Sequence, residues 1–568
     1  MTQYLTRRHF LASTAKAAAA GAAASLLPFE VRGAAAAGHE HALAALDDYI
    51  REHLRAIGAP GMIVSLASRE GVLRVSQHGL ADVKTRQPVS PQHLFEIGSI
   101  SKSFAAICAL QLHQEGRLDL QAPVTKYVPS LVIEAKYPAF TCHHLLSHTS
   151  GLAHDAPLFP RGRLNKLWCG FAPGSEYSYS NTGYQILGLV LESIEQRPWA
   201  EIVRRRVFER LGFTSSEPIV NARIRSRLAT GYSPIEDDRP FPPGGPLGEA
   251  AWVDEVEASG SIAATGADMA QYLLMLLNRG RGARGPVLSE ENFNLFIKPV
   301  HKALSWGENT SYAYGLAVDE SNNRTVLRHT GGMVAFSSAM HADLTNGLAA
   351  FASVNANLER YRPNAVAHYA LDLLRASSSG KPLPAAPLAS GDPPFKAADY
   401  TARYRAVAGG LDFSIEENSG SLFLNRSGRR AALMPAGKDQ FFVEDPELRR
   451  FYVKFNREKD QVVEAFHGSD WYTNERYAGP THFEHPNEWK AFAGNYRNDS
   501  PWWGSVYIFL RKGKLWLGDD QLVPMAGGIF RVGEDGYSPE RASFDGVTDG
   551  RALRMNYSGV DFYRRPEI

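Results

Sequence analysis

Cysteine is scarce: the 568 residues contain three, Cys108, Cys142 and Cys169. An odd number excludes a complete set of internal disulfides, so at least one thiol is expected to stay unpaired. None lies before Cys108, so no lipid-modified cysteine is expected near the N-terminus. No Cys/His spacing suggests a metal site, and neither metal nor cofactor is expected. Net charge is also nearly absent, with 61 Lys and Arg against 60 Asp and Glu. No basic stripe suggests nucleic acid as a partner. A long run of strongly apolar residues is lacking too. The most hydrophobic N-terminal stretch is built from Ala and Gly, is interrupted by Lys16 and stops at Pro28. Alanine and glycine drive membrane insertion poorly, so a retained span is disfavoured. With Thr6-Arg7-Arg8-His9-Phe10-Leu11 ahead of it and Ala34 to Ala37 behind, the segment 1–37 reads as a cleaved twin-arginine signal. The expectation is a periplasmic or secreted protein with no stable membrane anchor after cleavage.

What is present is ordinary globular material, 44% hydrophobic and 21% charged, carrying one informative pair. In Glu96-Ile97-Gly98-Ser99-Ile100-Ser101-Lys102, a hydroxyl and an amine stand three residues apart. That spacing faces them across one helical turn, because an apolar helical stretch from Phe104 to Leu112 follows. A serine is a poor nucleophile at its free pKa. A lysine held beside it in a dehydrated pocket can lose its proton and activate it. Ser-x-x-Lys alone is common by chance, and further elements give it weight. Tyr179-Ser180-Asn181 precedes a helix-like run from Tyr184 to Glu192, and His329-Thr330-Gly331 lies in a strand-like stretch from Thr325. Between the first two stands Leu145-Leu-Ser-His-Thr-Ser-Gly-Leu152. Each has an ordinary structural reading: a core tyrosine, an N-cap asparagine, a strand histidine.

The ordered set Ser-x-x-Lys, Tyr-x-Asn, His-x-Gly resembles the serine β-lactamase and penicillin-binding-protein superfamily, in the branch of class C β-lactamases, D-aminopeptidases, DD-carboxypeptidases and related esterases. The resemblance covers about residues 40 to 375. It implies that Ser99 is acylated and that Lys102 and Tyr179 share general-base and proton-relay work. It further implies that Asn181, His329 and Gly331 contact substrate, and that the backbone N–H groups of Ser99 and Gly332 form the oxyanion hole. The β-lactamases of this superfamily generally carry Lys-Thr-Gly where this chain has His329-Thr330-Gly331, the form seen in D-aminopeptidases and several esterases.

The expected fold is α+β: a β-lactamase-like domain over 38–376, with an antiparallel sheet flanked by helices and a helical insert. A Pro/Ser/Ala-rich linker over 377–394 follows. Beyond it the chain repeats itself. Tyr400-Thr-Ala-Arg-Tyr404 matches Phe492-Ala-Gly-Asn-Tyr496, Gly420 to Leu424 matches Gly513 to Leu517, and Leu433 to Ala436 matches Leu522 to Met525. Short alternating strands with turn residues predict two small antiparallel, lipocalin-like barrels, at 395–484 and 485–568. D-aminopeptidases also place two small barrels after the catalytic domain. The favoured activity is that of an exported serine hydrolase of D-aminopeptidase-like or other D-amino-acid-specific peptidase type. An esterase or an aminolysing acyltransferase is the alternative within the fold. A catalytically weak binder of peptidoglycan fragments or β-lactams is the alternative from another class. The expected partner is a small molecule or short peptide, and a homo-oligomer is compatible with the sequence.

Overall fold

A computed structural model describes residues 29–32, 38–160, 166–242, 244–358 and 362–566. The twin-arginine motif and the Ala34–Ala37 stretch lie outside the described residues. A ten-stranded antiparallel sheet organises the first part of the chain. Its central strands run in the order Gly71–Asp82, Gly61–Ser68, Leu348–Val354, Ser337–Asp343, Arg324–Gly332 and Ala317–Ser321. The first hairpin therefore pairs with the last strand, Val64 lying opposite Ala352. Strand Phe29–Arg32, inside the segment read as a leader, pairs with the outer strand Gly71–Asp82, whose edge would otherwise be open.

Strand Gly61–Ser68 is buried along its whole length, since both sheet faces are covered. Met62, Val64 and Leu66 face helices Glu40–Ile57 and Pro363–Ser378. Ile63 and Ala67 face the helical middle of the chain on the other side, as the two-residue period of a strand requires. Helix Ser101–Gln114 runs through that second core, buried from Ser101 to Leu112. All three cysteines are buried and free. The closing helix continues to Ser378, and Gly380 follows with a left-handed φ of 63°. The Pro-rich stretch after it lies against the first domain. The Nδ1 of His53 is 2.7 Å from the Ala389 carbonyl, and Arg362 pairs with Asp392 at 3.0 Å.

Two closed eight-stranded antiparallel barrels follow, from Ala402–Ala408 to Asp470–Thr473 and from Gly494–Asn498 to Val560–Arg564. The matched positions of the repeat occupy matched places. Tyr404 and Tyr496 are fully buried, and each hydroxyl donates to the carbonyl four residues earlier, at 2.9 and 2.8 Å. Leu422 and Leu433 fill one core as Leu515 and Leu522 fill the other. The second barrel docks on the first domain. Trp168 Nε1 donates to the Pro539 carbonyl at 2.7 Å, and Arg497 pairs with Asp237 at 2.7 Å.

Candidate active site

Ser99 sits in a single 3₁₀ turn, Gly98–Ile100, that opens the buried helix. The turn is pressed against strand Arg324–Gly332. A Cβ on Gly331 would lie 1.9 Å from the Ile97 carbonyl oxygen, and one on Gly98 would lie 2.8 Å from the Gly332 nitrogen. Gly98 also has φ 53°, a left-handed conformation that glycine adopts without cost. Only glycines let the two backbones touch here, and this approach brings the Gly332 amide against the turn that carries Ser99, both residues lining the same cleft. The hydroxyl of Ser338 fixes the contact, donating to the Ile97 carbonyl at 2.8 Å.

Lys102, one turn on, is fully buried. Its Nζ lies 2.9 Å from Ser99 Oγ, 2.7 Å from Asn181 Oδ1 and 2.8 Å from the Ser259 carbonyl oxygen. It also stands 5.0 Å from the centre of the Tyr179 ring. Burial pulls its pKa from the usual lysine range to about 7, against the opposing pull of Asp155. A neutral amine has two N–H bonds and one lone pair. The two carbonyl-type oxygens take the N–H bonds, which leaves the lone pair toward the Ser99 hydroxyl.

The Asn181 amide is oriented by its other end, because Nδ2 donates to Asp155 Oδ1 at 2.9 Å. Burial raises the Asp155 carboxyl, but His154 and the Asn181 amide overcome this and hold it below the usual range. Asn181 is the first residue of helix Asn181–Glu195, and the N-cap is Ser180, whose hydroxyl accepts from the Gly183 N–H. The block around His148 cradles this loop. His148 Nδ1 accepts from the Ser180 N–H at 3.0 Å, and its carbonyl accepts from the Ser178 N–H at 2.9 Å. Its ring centre lies 4.1 Å from that of Tyr179.

His329 faces the same cleft, with both ring nitrogens engaged by the protein. Tyr312 Oη is 2.9 Å from Nε2, and the Thr330 carbonyl oxygen is 2.6 Å from Nδ1. These partners assign the proton to Nδ1. Burial, with Lys102 adding, lowers its pKa to about 3, so the ring is neutral across the working range.

The structure thus brings Ser99, Tyr179, Asn181, His329 and Gly332 onto the lining of one cleft of about 980 Å³, with Lys102 buried behind Ser99 and Gly331 packed against the nucleophile turn. Sequence reasoning missed the acids Asp155, Asp254, Glu255 and Glu257 on its wall, and Trp502 and Trp503, which come from the second barrel. It also missed Glu540 of that barrel, whose carboxylate accepts from the His154 N–H at 2.6 Å. The flagged Leu145–Leu152 block was the available signal for the His148 cradle. No local pattern marks the barrel residues. Burial, with Glu257 and Asp254 adding, pushes the Glu255 carboxyl up to about 7.

Residues 46–405, more than half of the chain, match the family described as Beta-lactamase, and the chain belongs to that family. It is a serine hydrolase of the β-lactamase fold. Among curated relatives, an uncharacterized protein of Mycobacterium tuberculosis is 28% identical over 283 residues, covering 43% of this chain and 69% of its own length. Esterase EstB of Burkholderia gladioli is 32% identical over 207 residues, covering 31% of this chain and 51% of its own. The chain thus spans about half of that esterase. In fold it is similar to an octameric penicillin-binding protein homologue from Pyrococcus abyssi, with TM-score 0.55, 22% identity, and coverage of 76% of this chain and 99% of that one. No helix among the described residues is long and apolar enough to cross a membrane.

Proposed function

We propose that the protein is an exported hydrolase that forms an acyl-enzyme on Ser99 with an amide or ester, in the manner of a D-aminopeptidase or other D-amino-acid-specific peptidase. The observation that carries the chemistry is the three-way hold on the Lys102 amine beside Ser99 Oγ. In this reading neutral Lys102 takes the Ser99 proton as Oγ attacks the acyl carbon. The N–H groups of Ser99 and Gly332 receive the oxyanion. The proton then passes to the leaving group through Lys102 and Tyr179, and water resolves the ester.

Two features support a substrate with a free amine or no charge beside the scissile bond. The third motif presents a neutral imidazole where a lysine would offer a cation to a β-lactam carboxylate. The cleft wall, among the described residues, carries Asp155, Asp254, Glu255 and Glu257 against the single arginine Arg328, an excess of acids that disfavours an anion. A panel of D- and L-aminoacyl nitroanilides, short esters and a chromogenic β-lactam tests this. The best amide or ester should exceed the β-lactam in kcat/KM by at least about tenfold, on the order of 1.4 kcal/mol. A cephalosporin turned over as fast as the best amide or ester overturns the charge argument. Similarity to esterase EstB favours a second reading, in which esters lead the panel.

The lysine's state sets the pH dependence. An amine that must be neutral to act, with its pKa lowered to about 7, should give a kcat/KM for a neutral ester that climbs about tenfold per pH unit below 7. Above that pH it should level off. A profile still climbing steadily at pH 9 would place the acting base elsewhere. Export rests on Arg7 and Arg8. Changing both to Lys should leave precursor in the cytoplasm on fractionation, and mature protein outside the cytoplasm despite the change counts against the twin-arginine route.

A further inference from the structure

A second cavity of about 270 Å³ adjoins the catalytic cleft and shares Glu255 and Trp502 with it. Its charged lining, among the described residues, is Asp82, Glu96, Glu249 and Glu255 against Arg225. Arg225 lies over the Trp252 ring at 5.3 Å, and Asp82 is satisfied by the Thr85 N–H and the Thr230 hydroxyl at 2.7 and 3.1 Å. Glu96 differs. It is 9% exposed, it lines the cavity, and its carboxyl has no hydrogen-bond or ion-pair partner among the described residues. Glu255, on the same lining, is anchored by the Trp502 indole N–H at 3.0 Å.

A buried carboxylate with no donor, as at Glu96, is costly, and a cation placed between it and a second carboxylate relieves that cost. The volume corresponds to about nine waters at ~30 Å³ each, enough for an ammonium or guanidinium on a short stem. We propose that this cavity is a subsite for a cationic group of the substrate, a primary ammonium or a guanidinium, held between Glu96 and Glu255 while the scissile bond lies at Ser99. The inference rests on the reading of Ser99 as the acylated nucleophile and extends it to substrate choice. Burial pushes the Glu96 carboxyl up, and Glu255 adds to that push, as expected where two acids line one small space without a bound cation.

The test uses the full chain and nitrophenyl esters whose acyl chains end in an ammonium, paired with alkyl chains of equal length. A second set carries the ammonium on the leaving amine of an amide. At one chain length in one set, the cationic member should lead its neutral partner in kcat/KM by at least about tenfold. In Glu96→Gln and Glu255→Gln that ratio should fall to within about twofold. The ratio, unlike total activity, does not move with a general loss of folded enzyme. If Glu96→Gln does not fold, Glu255→Gln decides. No cationic preference at any length, or a preference that survives both substitutions, overturns the subsite. Trapped acyl-enzyme, read as a mass increase on Ser99, separates the layers. Acylation by neutral esters without cationic preference sinks the subsite alone, whereas no acylation by any ester sinks the reading of Ser99 and the subsite with it.

Discussion

Ser99→Ala should abolish covalent labelling by a fluorophosphonate probe and lower turnover of any amide or ester by about 10⁴ or more. Lys102→Met should do nearly the same, and the double variant should be little worse than either single one. The reason is geometric. Oγ and Nζ are 2.9 Å apart, and the lysine's other two contacts lock its N–H bonds onto Asn181 and Ser259, so neither residue has a role without the other. Residues acting as one unit give non-additive losses, because the first substitution already removes what the second would. Intact-mass and gel labelling of the variants, with circular dichroism to confirm folding, measure this. Persistent labelling of Ser99→Ala overturns the assignment of the nucleophile, and additive losses in the double variant overturn the idea of one unit.

Gly331→Ala should be the second largest loss, although alanine adds a single methyl. That methyl would stand 1.9 Å from the Ile97 carbonyl oxygen and 2.4 Å from Ser338 Oγ, far inside any real contact distance. The strand must retreat from the nucleophile turn, which carries the Gly332 amide away from Ser99. Overpacking of this kind costs about 1–3 kcal/mol of stability. Displacing one oxyanion donor lowers kcat by about 10²–10³. Gly536→Ala is the control, since a Cβ there meets nothing within 4 Å, and it should change neither Tm nor kcat. Thermal melts and kcat on a small ester separate the two effects. If Gly331→Ala keeps wild-type kcat, backbone contact between the turn and the strand is not what places the oxyanion donor.

Much of the site was legible because it is local. Ser99 and Lys102 meet through helical periodicity, and an apolar run after them is enough to predict the turn that joins them. The barrels were legible for the same reason, since alternating strands and a repeat that matches Tyr404 with Tyr496 need no distant partner to be read. The Tyr-x-Asn and His-x-Gly motifs could be named, but what they do there could not be read. His329 reads as a group offered to substrate, yet in the fold its two nitrogens are taken up by Tyr312 and Thr330. Asn181 reads as a substrate contact, yet its Oδ1 is held by Lys102 and its Nδ2 by Asp155.

The residues alone therefore marked the family resemblance, the nucleophile turn, the two barrels and a histidine in place of lysine at the third motif, through the spacing within motifs, their order along the chain and an internal repeat. The pairing of the first hairpin with the last strand, the burial that lowers the Lys102 pKa to about 7 and the placing of Trp502 and Trp503 of the second barrel on the wall of a cleft that begins some four hundred residues earlier at Ser99 are visible in the folded chain alone. The physical reason is that desolvation and docking are sums over groups remote in sequence. No window of the chain contains the Asp155, Ser259 and barrel residues that set the charge, the proton and the shape of the site.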